Sequence, residues 1–227
     1  MSDTMPGTAA DPDDETPERS NVLLLVLGGL AAISAVIAAL VIFSGGGGAA
    51  EKPEAPAPVS AGQSSVVVGK AAAGTKVVVL EDFASPESRA FEIASRDFLR
   101  IAAAQGRVQV EYRPLAGSDA YSRDARAAWS AVLDGAGTPK QALAFHDALF
   151  DRQPTGETRD SREFLAWAKD AGIDDQGALD AIATAGAAAT DADRGRVPTV
   201  LVDGTGLTAA SPVALADALQ RLLLEKD

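Results

Sequence analysis

The chain has 227 residues, 47% of them apolar, which is enough for one globular domain with additional segments. Its formal net charge is −12, and it has no cluster of Lys and Arg with which to bind a nucleic-acid backbone. Cys is absent and His occurs once, which excludes disulfides, Cys nucleophiles, thiolate metal ligands and a multi-histidine metal site. We therefore expect no bound metal and no other cofactor.

The first 65 residues predict three segments that precede any packed domain. Residues 1–21 are polar, acidic and contain three prolines, which predicts a disordered tail. Residues 22–43 are continuously apolar and, at about 1.5 Å rise per residue, long enough to cross a bilayer. This run is too long and its start too acidic for a cleaved signal peptide, so we expect an uncleaved signal anchor. Residues 44–65 are rich in Gly, Ala and Pro and predict a linker.

The charges beside the apolar run say little about its orientation in a membrane. Arg19 flanks one end and Lys52 the other, so the positive-inside rule is nearly balanced. A short segment before the run and a large domain after it fit a single-pass anchor whose C-terminal domain is extracytoplasmic. The predicted location is therefore the cell membrane.

The folded domain is predicted over residues 66–227 and begins with strands and a helix. Val66–Val68 predicts a short strand, and the apolar run Val77–Leu80 predicts a central strand buried on both faces. A helix follows directly, because Ser85 is a preferred N-cap residue and Pro86 suits the first helical position. These signals place a helix N-terminus immediately after the central strand.

This helix is predicted to bury one apolar stripe and to lead into a second core strand. Glu87 in its first turn complements the positive end of the helix dipole. The predicted stripe consists of residues at helical spacing, Phe91, Ala94, Phe98, Ile101 and Ala102. In the strand, Val108, Val110 and Tyr112 alternate with polar residues. Strand, helix and strand together predict a βαβ unit.

A helical block, about residues 118–192, is predicted to interrupt the sheet. Its four helices are expected from Ala120 to Leu133, from Thr138-Pro139 with Gln141 in a capping box, from Asp160, and from about Asp175 to Ala188. The chain then returns to a strand that begins at Val197, and the last helix starts at Ser211-Pro212. That helix is predicted to bury Leu215, Leu219, Leu222 and Leu223. The element order is that of an α/β domain with a helical insertion.

Four segments, in this order, resemble the DsbA-like family of thioredoxin-fold proteins. They are VVVLEDFASPESRAFE, YRPLAGSDAYSRDARAAWSAV, FHDALFDRQPTGE and RVPTVLVDG. The resemblance covers about residues 66–227 and implies an α/β thioredoxin fold with an inserted helical subdomain. Alanine-rich, membrane-anchored members of this family are typical of actinobacteria, which implies an envelope protein with its domain outside the cytoplasm.

The chain departs from this family at the residues that carry the chemistry. Where the family has Cys-Pro-x-Cys, this chain has Ser85-Pro86-Glu87-Ser88. Disulfide exchange needs a thiolate and a second sulfur, and hydroxyl groups supply neither. We therefore expect no catalytic residue at these four positions and no activity as a thiol–disulfide oxidoreductase.

The resemblance also implies a binding groove beside this degenerate motif. In the family, a cis-proline loop faces the active site, and RVPTVLVDG resembles that loop. Ser85, Val197, Pro198 and Thr199 are thus the predicted groove, and an extracytoplasmic polypeptide or an envelope membrane protein is the predicted partner. The simplest interpretation of Ser85 remains a helix cap, in a degenerate paralogue without a discrete ligand.

An enzymatic alternative rests on a second resemblance. Kappa-class glutathione transferases and their isomerase relatives share this fold and are similar at a Ser-Pro-x turn. There the hydroxyl and the helix end hold a thiolate that belongs to the cofactor, so Ser85 could position glutathione or mycothiol. The DsbA-like segments and the expected location outside the cytoplasm count against this alternative.

The remaining candidate residues predict structural roles. His146 lies in the helical segment AFHDALF and is predicted to be a surface or core-edge residue rather than the base of a Ser–His–Asp hydrolase. Trp129 and Trp167 occur in helical patterns and predict packing between helices. Asp203 and Gly204 begin a turn.

Overall fold

The computed structural model describes residues 57–62, 64–135, 137–153, 161–188 and 196–226. The chain divides into two compact units, Met1–Lys52 and Pro53–Asp227, and all described residues belong to the second. The predicted tail, the predicted membrane anchor and most of the predicted linker lie outside the described residues. Within the described part, no helix combines the length and the apolar character that crossing a bilayer requires.

Six strands and six helices occur in the described residues. The strands are β1 (Val59–Ala61), β2 (Val66–Val68), β3 (Thr75–Glu81), β4 (Val108–Pro114), β5 (Thr199–Val202) and β6 (Thr205–Leu207). The helices are α1 (Pro86–Ala104), α2 (Ala120–Asp134), α3 (Pro139–Asp151), α4 (Ser161–Asp170), α5 (Gln176–Thr184) and α6 (Pro212–Glu225). Helices α2 to α5 form the insertion between β4 and β5.

The strands form one mixed sheet in the order β1-β2-β4-β3-β5-β6. The pair β3 and β4 is parallel, joined through α1, and every other neighbouring pair is antiparallel. Strand β1 falls within residues 44–65, which the sequence analysis assigns to a linker. Its residues carry no strong apolar pattern, and it forms because Val59 to Ala61 pair with β2 along the edge of the sheet.

Strand β3 occupies the middle of the sheet, but it is not equally buried on its two faces. Val77 and Val79 are completely buried, whereas Val78 and Leu80 are half-buried. The prediction of a strand buried on both faces is therefore wrong for one face. Parallel pairing with β4 keeps Val77 opposite Val110, so both strands contribute to the same core layer.

Helix α1 buries a face that overlaps only in part with the predicted apolar stripe, of which Phe98 is half-buried. Phe91 and Ala102 are buried as expected, but Ala94 is exposed and Ile101 is 41% exposed. The buried face contains Ser88, Phe91, Glu92, Ser95, Leu99, Ala102 and Ala103. Three of these buried residues are polar, so a prediction based on hydrophobicity does not include them. Relative to the predicted orientation, the helix is rotated about its axis so that these polar side chains face the interior.

The insertion follows the predicted helices closely except at one end. Thr138 and Gln141 form the expected capping box at the start of α3. Trp129 of α2 is completely buried, and its Nε1–H donates to the carbonyl of Ala142, 3.0 Å away. Helix α5 ends at Thr184 instead of Ala188, because Ala185 leaves the helical region with φ −61° and ψ 121°.

The last helix begins as predicted, since the side chain of Ser211 accepts a hydrogen bond from the Ala214 N–H. Its residues Leu215, Leu219 and Leu223 are buried and Leu222 is half-buried. Helix α6 packs against α1. Together these contacts place the N-terminus of α1, with Ser85, at the end of β3 in the centre of the sheet.

The rotation of α1 generates a testable prediction. Replacing the fully buried Leu99 by Ala removes apolar volume from the core and should lower the free energy of unfolding by about 2–5 kcal/mol. The matched substitution Ile101→Ala, two residues along the same helix, should cost about 1 kcal/mol or less, because Ile101 is already 41% exposed in the folded state. Urea unfolding of the full-length chain measures both values. Equal losses for the two variants would contradict the observed helix face.

Candidate functional site

Ser85 is the N-cap of α1, and its hydroxyl is occupied by that role. Its Oγ accepts a hydrogen bond from the Ser88 N–H at 3.1 Å and donates to Oε2 of Glu87 at 3.2 Å. Pro86 occupies the first helical turn, where it needs no hydrogen-bond partner for its nitrogen. The local sequence is therefore sufficient to start a helix here, as predicted.

The second hydroxyl of the motif faces the interior. Ser88 is completely buried, and its Oγ accepts a hydrogen bond from the Asp82 N–H at 3.2 Å. Ser85 is half-buried at the surface, so one hydroxyl borders solvent and the other supports the backbone after β3. The Ser88 side chain thus joins the backbone after β3 to the first turn of α1, and the Ser85 side chain caps that turn.

A groove opens beside this helix start. It has a volume of about 330 Å³ and is lined by Asp82, Ala84, Ser85, Glu87, Ser118, Asp119 and Val197. The structure therefore brings Val197 to the same cavity as Ser85 and Glu87, although it is more than a hundred residues away from them in the sequence. Pro86, Ser88, Pro198 and Thr199 are not among its lining residues. The peptide bond between Val197 and Pro198 is cis.

The polar part of the groove is acidic. Asp82 and Asp119 use side-chain oxygens to accept backbone N–H groups, of Ala84 and of Tyr121 respectively. Glu87 is exposed at the rim. Asp119 is also the N-cap of α2, so two helix N-termini border the same cavity. Negative carboxylates and two helix N-termini, which are positive, thus surround a small cavity. Hydrogen-bond acceptors outnumber donors among the side chains that line it.

Beneath the groove, the last residue of β3 contacts the insertion through a buried pair of ionisable groups. Oε1 of Glu81 lies 2.5 Å from Nε2 of His146, and both side chains are completely buried. The helical segment AFHDALF predicts His146 at a helix surface or core edge, and this prediction is wrong. The aromatic rings of Phe83, Tyr112 and Phe150 surround the imidazole, with ring centroids between 5.1 and 5.6 Å from it.

The environment changes the acidity of both members of this pair. Burial raises the pKa of Glu81 to about 7, although the charge of His146 acts in the opposite direction. Burial by itself would lower the pKa of His146, but the Glu81 charge and the hydrogen bond to Asp147 raise it to about 10. The proton shared by this pair is therefore held tightly at neutral pH.

Further charged side chains of α1 and α3 extend this cluster. Nε of Arg96 lies 3.0 Å from Oε1 of Glu92, its partner one helical turn away. Nη2 of Arg100 contacts Asp147 at 2.7 Å. The charges of His146 and Arg100 lower the pKa of Asp147, against the opposing effect of its burial. The cluster is thus a network of ion pairs that links α1 to α3.

Three groups in this network are spaced as metal ligands would be. Glu92, His146 and Asp147 each offer a ligand atom, and these atoms lie within 4.8 Å of one another. The two carboxylates, however, already contact the guanidinium groups of Arg96 and Arg100. Their negative charge is balanced within the protein, and a metal cation at this place would be repelled by both arginines.

Sequence reasoning missed this network for an identifiable reason. Glu81 directly follows an apolar strand, and a charged residue at a strand end is usually solvated. Ser88, Glu92 and Ser95 lie at helical spacing on one face of α1, and that spacing is the signal that could have indicated a polar interior. The partner, His146, comes from a helix more than sixty residues away, and no local pattern relates the two.

Comparison with known proteins agrees with this architecture. A family model described as "Thioredoxin" matches residues 61–221. No curated protein sequence shows a significant match. Among solved structures, reduced DsbA from Mycobacterium tuberculosis is similar, with 21% identity and a TM-score of 0.53, over 70% of this chain and 99% of that chain.

Two further solved structures are similar to the same extent. MdbA, a thiol-disulfide oxidoreductase from Corynebacterium diphtheriae, has 20% identity and a TM-score of 0.53, over 74% of this chain and 96% of its own. Oxidised BdbD from Bacillus subtilis has 19% identity and a TM-score of 0.53, over 76% of this chain and 99% of its own. At these identities the likeness concerns the fold. Since the family model covers most of the chain, this chain belongs to the thioredoxin family.

Proposed function

We propose that this protein is a DsbA-type member of the thioredoxin family without redox activity, which binds an extracytoplasmic polypeptide in the groove beside Ser85. Residues 22–43 would anchor it in the cell membrane. The observation that carries the proposal is the open groove beside the N-terminus of α1. The residues at this helix start have hydroxyl groups, whereas disulfide exchange needs sulfur atoms. A binding surface can be kept when the reactive atoms are lost.

The backbone at Val197 supports a polypeptide as the ligand. The pairing of β3 with β5 ends at Leu80 and Thr199, so Val197 lies beyond the paired part of the strand. It is half-buried and borders the groove. A chain segment outside the ladder can pair with an extended peptide through main-chain hydrogen bonds, and nearby side chains then select the sequence.

A thiol cofactor fits this groove less well. The Ser85 hydroxyl already donates its proton to Glu87, so it is not free to donate to a bound thiolate. The carboxylates of Asp82, Glu87 and Asp119 border the same cavity, and they would repel a thiolate and the carboxylates of glutathione alike. We therefore do not favour the kappa-class alternative.

Obstruction of the groove tests the binding function. Ser118 is exposed and lines the groove, so Ser118→Trp should fill part of it with a bulky ring. The full-length chain in detergent should bind a labelled, permanently unfolded polypeptide, reduced and carboxymethylated α-lactalbumin, saturably in fluorescence anisotropy. We expect the substitution to weaken this binding by about tenfold or more, the loss of one well-packed contact region.

A matched substitution outside the groove provides the control. Val213 on α6 is 46% exposed, and Val213→Trp places the same ring on another surface. This variant should bind as the unmodified chain does. If both tryptophan variants bind equally well, or if the unmodified chain does not bind at all, the groove is not a polypeptide site.

Restoring the sulfur atoms tests whether the groove keeps the geometry of the family. The unmodified chain should show no dithiol oxidation, because it has no cysteine. The double substitution Ser85→Cys/Ser88→Cys places one thiol at the helix cap, where the free N–H groups and the helix dipole lower a thiol pKa. We expect this variant to oxidise a dithiol peptide at a measurable rate.

The two single substitutions are the controls for this experiment. Ser85→Cys alone and Ser88→Cys alone cannot form the intramolecular disulfide that carries the oxidising equivalents. Both should be inactive in the same assay. A double variant that folds, forms its disulfide and still oxidises nothing would mean that the groove no longer positions a substrate for exchange.

A further inference from the structure

His146 contacts a carboxylate with each of its two ring nitrogens. Nε2 lies 2.5 Å from Oε1 of Glu81, and Nδ1 lies 3.2 Å from Oδ1 of Asp147. A neutral imidazole has one N–H, so it can donate to one ionised carboxylate while its lone pair faces the other. An imidazolium donates to both. The geometry therefore favours the state in which the pair holds one additional proton.

This pair connects two separate parts of the fold. Glu81 is the last residue of β3 in the sheet, and His146 lies in the middle of α3 in the insertion. Two further hydrogen bonds lie at the same interface, one between α1 and α3 and one between the segments that follow α3 and β3. Nε of Arg89 donates to the carbonyl of Phe150 at 2.9 Å, and Nε2 of Gln153 donates to the carbonyl of Phe83. Among these three contacts, only the one between Glu81 and His146 joins two side chains that both titrate.

The surrounding charges depend on the proton for their balance. The titratable and charged groups that face the pair are Glu92, Arg96 and Arg100 on α1, Tyr112 on β4, and Asp147 and Asp151 on α3. Asp151 is half exposed, and burial raises the pKa of Tyr112, which keeps it neutral. Two completely buried carboxylates and the partly buried Asp147 then face the two guanidiniums, and the proton on His146 makes the numbers of positive and negative charges equal.

We propose that the contact between Glu81 and His146 is a proton-dependent latch that fastens the helical insertion, α2 to α5, to the sheet. While the proton is bound, every charge in the interface has a partner. When the proton leaves in alkaline solution, a lone pair of the ring faces a carboxylate and one negative charge is left unbalanced in the interior. Helix α3 then separates from β3 more readily. This inference does not depend on the proposed binding function.

The sign of the pH dependence follows from the raised pKa of His146. The folded state holds this proton up to about pH 10, whereas the unfolded chain releases it near pH 6.5. The stability that the proton contributes is therefore fully present below the unfolded value and is lost as the pH rises through the folded one. The raised pKa of Glu81, about 7, acts in the same direction between pH 4.5 and pH 7.

Urea unfolding of the full-length chain at pH 7, 8 and 9 tests the proton dependence. With one proton released on unfolding, the unfolding equilibrium constant should rise by up to about tenfold per pH unit. The double substitution Glu81→Gln/His146→Gln keeps a hydrogen-bonding pair that does not titrate, and it should make this dependence nearly flat. Tryptophan fluorescence is a suitable signal, because Trp129 of the insertion contacts Phe83 across the interface.

An exposed ion pair supplies the matched control. Arg113 contacts Glu111 at 2.6 Å at the surface of β4, and Arg113→Gln removes that pair. This variant should keep the pH dependence of the unmodified chain. Equal pH dependence in the unmodified chain and in the Glu81→Gln/His146→Gln variant would overturn the proposal.

Amide hydrogen exchange distinguishes a latch from a general contribution to stability, and it needs no variant. After correction for the intrinsic effect of pH, the opening of α3 should increase between pH 7 and pH 9 by a larger factor than that of β4. The insertion would then separate while the sheet stays folded. An equal increase in α3 and β4 would mean that the proton stabilises the whole domain, and the latch would be wrong.

Discussion

Glu81 and His146 meet where neither side chain reaches solvent, and this contact constrains most of the structure around it. A buried carboxylate and a buried imidazole are each costly to desolvate, so the surrounding elements must supply partners for both. Asp147 is the second partner of His146, and Arg96 and Arg100 of helix α1 contact Asp147 in turn. The rotation of α1, the position of α3 and the packing of the aromatic rings follow from the same requirement.

The groove lies directly above this cluster and shares its backbone. Asp82 follows Glu81, borders the groove, and donates its N–H to the buried hydroxyl of Ser88. Ser85 then caps the helix that carries Glu92. Glu81 of the buried pair and Asp82 of the groove lining are therefore consecutive residues. Phe83, between the groove residues Asp82 and Ala84, accepts a hydrogen bond from Gln153, which follows α3.

The serines at positions 85 and 88 both have structural roles in this arrangement. At position 85 a hydroxyl satisfies a free N–H at a helix start, which serine does well. At position 88 a buried hydroxyl accepts one backbone hydrogen bond. Neither role requires a thiolate. The end of β3 and the start of α1 are therefore held together by hydrogen bonds of two serine side chains, without sulfur.

The elements with strong local signals could be predicted from the sequence. The cap at Ser85, the capping box of Thr138, the alternating strand β4 and the order of elements depend on residues close together in the chain, so short-range patterns determine them. The edge strand β1, which forms only because β2 pairs with it, has no such pattern.

The tertiary structure decided where the polar residues of α1 point and which residues His146 meets. Glu81 and His146 are separated by 65 positions, and their pairing depends on how the insertion packs against the sheet. Hydrophobicity assigns Ala94 and Ile101 to the core because it counts burial of apolar area alone. A buried network of charges outweighs that preference, and only the folded arrangement contains the network. The groove at Ser85 and Val197 has the same origin, since it lies between segments that only the fold brings together.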